Sequence, residues 1–146
     1  MGSAHSQHIR AFVQSISPDI RLYRQLLQLL QTQKSLYLTF DGDALNQNLR
    51  EQIPLYQKLQ ESASLRTACL KSVKLPADEH SVKRIFAVLP PALKNQAEKQ
   101  WAVLSTLIHQ CHAQNQENGQ CSAQFHEMLT QLTQPSPTYD TNLNGL

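Results

Sequence analysis

The chain has 146 residues, with 13 Lys and Arg against 11 Asp and Glu and a formal charge of +2. That length is about one domain's worth and can bury a core without staples, and so small a charge excess counts against nucleic acid or an anionic membrane surface as the main partner. No apolar run approaches the ~18 residues needed to cross a bilayer, and the polar start, Met1 to Arg10, lacks the apolar stretch of a secretory signal, so the protein is expected to stay in the cytoplasm.

Charged residues make up 16% of the chain, low against a typical ~25%. Glutamine fills the gap, with 19 copies spread along the chain rather than run together. Gln forms helices well and hydrogen-bonds without adding charge. There are 4 glycines and 7 prolines, and Pro76, Pro90, Pro91, Pro135 and Pro137 stand at apparent element boundaries. This distribution suits a few long helices. Cys69, Cys111 and Cys121 are an odd set without framework spacing, which reads as free thiols in a reducing compartment.

In chain order, Ile9, Phe12, Val13 and Ile16 have helical spacing and suit an additional segment. Ser17-Pro18-Asp19 reads as a helix start: Ser17 to cap, Pro18 in the first turn, Asp19 at the positive end of the dipole. The first long helix is predicted to reach about Leu38, with Ile20, Tyr23, Leu26, Leu27, Leu30 and Tyr37 on its apolar stripe. Asp41-Gly42-Asp43 then breaks the run, Gly42 ending one helix and Asp43 capping the next.

The second helix is predicted over roughly residues 44–74, with Leu45, Leu49, Tyr56, Leu59, Ala63, Leu70 and Val73 on one face. Pro54 lies within it and either kinks it or divides it in two. So short a link between long helices implies an antiparallel hairpin. Residues 75–91 read as a connector holding a short helix over about 79–88, and a last helix runs from Pro90-Pro91 to about Thr133.

In that last helix, apolar or small residues recur in alternating steps of three and four. The series is Leu93, Ala97, Trp101, Leu104, Ile108, Cys111, then Asn115, Asn118 and Ser122, then Phe125, Leu129 and Leu132. Its centre is polar, and Gly119 costs about 1 kcal/mol against Ala inside a helix. Asn115, Asn118 and Gly119 therefore mark a weak point. An Asn-Gly pair is also a good helix stop, but the series resumes in register at Phe125. The favoured reading is one continuous helix with an anchored half (93–111) and a labile half (121–133). The expected architecture is all-α: a long antiparallel hairpin plus a third long helix, packed as a coiled-coil-like three-helix bundle over residues 1–133. A polar tail, residues 134–146, follows, and its composition predicts flexibility in the unbound protein.

Chemistry is sparse. His109 and His112 can share a helix face, as metal ligands sometimes do, but no paired carboxylate joins them. Two surface histidines beside a small buried thiol, Cys111, is the plainer reading, and no metal or other cofactor is expected. Glycine-rich phosphate loops, nucleophile elbows and local Cys/His signatures are absent from the sequence, so no enzymatic activity is expected. Arg66, Lys71, Lys74, Lys83 and Arg84 gather around the connector without interleaved aromatics, as on a solvated face. Trp101 reads as a core anchor under the connector or the hairpin. Phe125, Met128, Leu129 and Leu132 form a set at i, i+3, i+4 and i+7. They read equally as core or as anchors for a partner helix, and Met128 suits an adaptable surface.

One arrangement carries a family resemblance. Trp101 precedes Asn115-Gln116-Glu117-Asn118-Gly119 on a long last helix. A Gln- and Leu-rich hairpin broken at Asp41-Gly42-Asp43, with Arg66 late in its second arm, lies ahead, and a polar tail with Pro137-Thr138-Tyr139 follows. This order resembles the FlgN family of flagellar export chaperones. The resemblance implies a cytoplasmic, non-enzymatic chaperone that escorts the hook-associated proteins FlgK and FlgL to the export machine. It would grip their helical C-terminal parts through the end of the last helix and the region after it. By the same resemblance Phe125, Met128, Leu129 and Leu132 belong to the client-binding segment. Tyr139 would match the tail tyrosine that touches the export gate protein FlhA, although the family often has Tyr-Gly where this chain has Tyr139-Asp140. Exposed seams of this kind also suit self-association into a homodimer. The alternative to the chaperone is a helical adaptor or regulator with an unrelated partner.

Overall fold

A computed structural model describes residues 4–133, and within them five α-helices. They are α1 (Ala4–Gln14), α2 (Ile16–Leu38), α3 (Gly42–Ser72), α4 (Glu79–Ala87) and α5 (Pro91–Thr133). No strand occurs among the described residues. The expected flexible tail, residues 134–146, lies outside them.

The α1–α2 break is set by Pro18. A helix running straight through would need the residue-18 N–H to bond the carbonyl of Gln14, and proline has none to give. The chain instead turns at Ser15, whose hydroxyl donates to the Phe12 carbonyl at 2.6 Å. The expected start at Ser17 is therefore corrected. Helix α2 begins at Ile16, Ser15 holds the N-cap place without a side-chain cap bond, and Pro18 sits in the first turn, where its missing N–H costs little.

The hairpin turn also differs from the expectation. Asp41, not Asp43, caps α3, its side chain accepting from the Ala44 N–H at 3.1 Å. Gly42 is already helical, and the left-handed position that closes α2 falls on Phe40, with φ 56°. The Asp41 N–H bonds the Leu36 carbonyl and the Phe40 N–H bonds that of Tyr37, which is the paired closure of a Schellman motif. Helix α3 ends the same way on Lys74, with φ 62°. It runs unbroken through Pro54, which is exposed along with Arg50, so solvent can reach the Arg50 carbonyl that proline leaves unpaired.

Helix α2 lies between the other long helices. It is antiparallel to α3, with Gln52 reaching Gln33 and Arg66 reaching Asp19. It is parallel to α5: Cys111 bonds the Tyr23 carbonyl, Asn118 bonds the Leu30 carbonyl, and the Phe125 ring meets the Tyr37 ring. These three pairs share one 88-residue offset and step by seven on both helices, the signature of an in-register coiled-coil seam. The predicted α5 series is right at Ala97, Trp101, Leu104, Cys111, Asn118 and Phe125. Between them the packed phase differs, with Leu107 buried and Ile108 and Leu93 exposed.

The main core fills one end of the bundle, the base. There Phe12, Ile16, Ile20, Leu70, Val82, Ile85, Phe86, Ala97 and Leu104 pack together. Trp101 lies against Phe12 and Phe86 with ring centroids 5.6 and 6.1 Å away, under α1 and the connector helix. Arg66 is corrected from a solvated face to this core: it pairs with fully buried Asp19 at 2.7 Å and stands 5.8 Å over the Trp101 ring. A smaller cluster of Leu26, Leu30, Leu59 and Cys111 continues toward the hairpin tip.

Candidate functional site

Beyond Leu30 and Leu59 the interior turns mainly polar, although Tyr37 and Leu45 are also buried there. Gln33, Asn48, Gln52 and Asn118 are all buried. The Gln52 amide donates to Gln33 Oε1 and to Asn48 Oδ1, each at 2.8 Å, and Gln33 donates to the Tyr37 hydroxyl at 3.0 Å. Asn48 donates to the Leu29 carbonyl at 2.9 Å and Asn118 to the Leu30 carbonyl at 2.8 Å, while Gln114 donates to Asn118 Oδ1. Apolar burial contributes about 25 cal/mol per Å², whereas a neutral hydrogen bond adds a net ~0.5–1.5 kcal/mol. The tip half of the bundle is thus held in register by a satisfied network with little apolar drive behind it. Sequence reading found the α5 share of this layer but missed Gln33, Asn48 and Gln52. Their signal was the substitution of amides at seam positions of α2 and α3.

Of the three predicted weak-point residues, Asn118 alone enters the seam. Asn115 is exposed and exchanges hydrogen bonds with the Tyr56 hydroxyl of α3, at 3.3 and 3.4 Å. Gly119 is helical with nothing within 4 Å of the place a Cβ would occupy. Helix α5 continues through it. Nearby, Lys34 of α2 pairs with Glu117 on the surface, a contact of small energetic weight.

At the very tip, Phe125 closes the seam. Its ring stacks on Phe40 with centroids 5.2 Å apart and tilts against Tyr37 at 5.5 Å. A left-handed backbone costs a non-glycine residue roughly 1–2 kcal/mol, and Phe40 accepts it where it presents a ring to α5. By the shared offset, Leu38, the last residue of α2, stands level with His126. The final turns of α5 therefore extend past the end of α2, roughly 10 Å at ~1.5 Å per residue. On this overhang Met128 is 46% and Leu129 38% exposed, and Leu38 across from it is 67% exposed. Tyr37, Leu38, Phe40, Cys121, Phe125 and Met128 line an apolar groove of about 230 Å³.

The structure thus brings Phe125 and Met128 together in one groove, with Phe125 half-buried rather than free, and leaves Leu129 on the same overhang. The side chain of Leu132 and all of Tyr139 lie outside the described residues. Hairpin-tip residues Leu38 and Phe40 join the groove without having been singled out in the sequence, since only the turn geometry swings them toward α5.

The family model described as FlgN protein matches residues 1–135. The chain belongs to the FlgN family of flagellar export chaperones. Neither a curated protein nor a solved structure matches it. FlgN-family chaperones bind flagellar proteins, a task for apolar surface rather than reactive groups. In this FlgN-family chain burial raises the Cys111 thiol from 9.0 to about 11 and raises Cys69 as well, which keeps both protonated and inert near neutrality. His109 bonds the Ser105 carbonyl and His112 is exposed. Among the described residues no three His, Cys, Asp or Glu side chains are placed to hold a metal, and no helix is long and apolar enough to cross a membrane.

Proposed function

We propose that this chain holds the C-terminal helical regions of the hook-associated proteins FlgK and FlgL in the cytoplasm and delivers them to the export apparatus. Residues 1–133 form the client-holding domain, and residues 134–146 present Tyr139 to the gate protein FlhA. The observation that carries the reading is the overhang of α5 past the end of α2, where Met128 and Leu129 stand exposed beside a groove floored by Phe125. An amphipathic client helix can lay apolar anchors at i, i+3, i+4 and i+7 into such a groove. Its two walls are already ordered, which lowers the entropic cost of binding. The polar layer beneath the groove supports the same reading, because a tip with little apolar drive can adjust to more than one client without exposing the main core.

The test uses the full chain and purified C-terminal segments of FlgK and FlgL. Met128→Glu with Leu129→Glu, both on exposed positions, is expected to leave helicity and melting intact and to weaken both clients by about tenfold or more. Undiminished binding by that folded variant would refute the placement of the client site. A Tyr139→Ala chain should still bind clients and lose FlhA; retention of FlhA would remove Tyr139 from the gate contact.

A further inference from the structure

A second apolar groove lies at the base, at the end of the bundle away from the tip. Helix α1 forms one wall through Ile9 and Val13, and the α4–α5 corner forms the other through Val88, Leu89 and Leu93. Its volume is about 710 Å³. Val88 is 67% and Leu93 48% exposed, so this is an open groove with large aliphatic side chains facing solvent. From Leu93 to Met128 the single helix α5 spans about 50 Å at ~1.5 Å per residue. One client helix seated at the tip groove leaves the base untouched.

The charge around this groove is one-sided. Residues 1–18 and 80–97 contain no Asp or Glu. Arg10 lines the groove, Arg84 precedes Val88 by one helical turn, and Lys94 follows Leu93. Among the described residues, these three cations make no salt bridge. No carboxylate is among the residues that line the groove. Glu98 stands one turn beyond Lys94, and in a chain of formal charge +2 it is Arg10 on the groove, with Arg84 one turn before Val88, that gives this face its positive potential.

From this apolar floor and cationic rim we infer that the base groove is a second docking site, for an acidic amphipathic helix of a protein partner. The partner's aliphatic side chains enter between Ile9, Val13, Val88 and Leu93, and its flanking carboxylates meet Arg10, Arg84 and Lys94. A groove between two walls fits a helix better than it fits a flat lipid surface. Charge complementarity of this kind sets which partner docks and speeds encounter. The site is independent of the client groove, so the chaperone can hold a client at the tip and contact another protein at the base.

Two synthetic peptides of ~18 residues, long enough to be helical when bound, test this on the full chain by fluorescence anisotropy. Both carry Leu at helical spacing; one is flanked by Glu, the other by Lys. The Glu peptide should bind about tenfold tighter or better, and weaken as salt is raised. Val88→Asp with Leu93→Asp should abolish binding while circular dichroism stays unchanged. Arg10→Glu with Arg84→Glu should invert the preference toward the Lys peptide. Equal binding of both peptides, or binding that survives the aspartate pair in a folded chain, overturns the proposal. So does flotation with phosphatidylglycerol vesicles that the Arg10→Glu/Arg84→Glu variant loses while neither peptide binds, since the face would then serve an anionic membrane.

Discussion

Asn118 of α5 donates its side-chain amide to the carbonyl of Leu30 in α2 at 2.8 Å, at a seam position that is 2% exposed. One amide therefore stands where a coiled coil would ordinarily place a leucine. An amide there stabilises the tip less than a leucine would, and its bond holds α5 in the register that sets Phe125 against Tyr37 and Phe40 one heptad later.

Asn118→Leu tests that exchange. The apolar gain outweighs the lost hydrogen bonds by about 1 kcal/mol. The melting temperature should rise by roughly 3–6 °C. Client exchange at the tip should slow, because the layer that adjusts has been made rigid. Differential scanning calorimetry reads the first effect and client dissociation kinetics the second. A lower melting temperature would show that the amide network contributes more than apolar packing would.

Gly119→Ala acts on the helix alone. An alanine Cβ meets nothing within 4 Å, so the change should stabilise the protein by about 0.5–1 kcal/mol through helix propensity. Urea denaturation measures it. If pliancy at Gly119 serves client capture, the same variant binds FlgK and FlgL more weakly despite its greater stability.

At the base, Asp19 is fully buried with its Oδ2 bonded by Arg66, and among the described residues its Oδ1 has no hydrogen-bond partner. Arg66→Ala leaves that carboxylate stranded and should cost about 3–5 kcal/mol, a large share of a typical ~5–15 kcal/mol stability. The double change Asp19→Leu with Arg66→Met should recover most of the loss, since a well-packed apolar pair often matches a buried ion pair. Failure of the double variant to recover would mean that the Arg66 contacts with Ser15 and Trp101 matter more than the charge pair.

Alkaline pH should loosen the bundle. Burial holds the Cys111 thiol near 11 in the folded chain against 9.0 ordinarily, and raises Tyr23 above its usual 10.0 in the same direction. Between pH 9 and 11 the unfolded chain loses the thiol proton that the folded chain keeps, so stability is complete below pH 9 and declines as pH rises. The urea midpoint should fall over that window, and Cys111→Ala should flatten the decline. An equally steep fall in the variant would assign it to other groups.

Phe40→Gly separates strain from function. Glycine takes the left-handed position without cost, so backbone relief should offset the lost Phe125 stacking to within about 1 kcal/mol. Client affinity should drop, because one wall of the tip groove is gone. Unchanged affinity would exclude Phe40 from the client surface.

Much of this fold was legible in residue order. The stripe of Tyr23, Leu26 and Leu30, the breaks at Asp41-Gly42 and Pro90-Pro91, and the seven-residue spacing of Leu104, Cys111, Asn118 and Phe125 are local patterns. Local patterns determine which segments are helical, because capping, proline and periodicity act within a few residues. Their meaning for the family rests on the same order. What only tertiary structure decided was partnership. Leu107 and Ile108 are both aliphatic neighbours, and only the position of α2 beside α5 buries one and exposes the other. Arg66 read as solvated and Asp19 as a helix-start residue until the hairpin brought them together across 47 residues. Gln33, Asn48 and Gln52 became one network only when α2 and α3 met. A side chain's periodicity is written in its own segment, but its burial and its bonds depend on which distant segment packs against it, and that is settled by the whole chain's free energy.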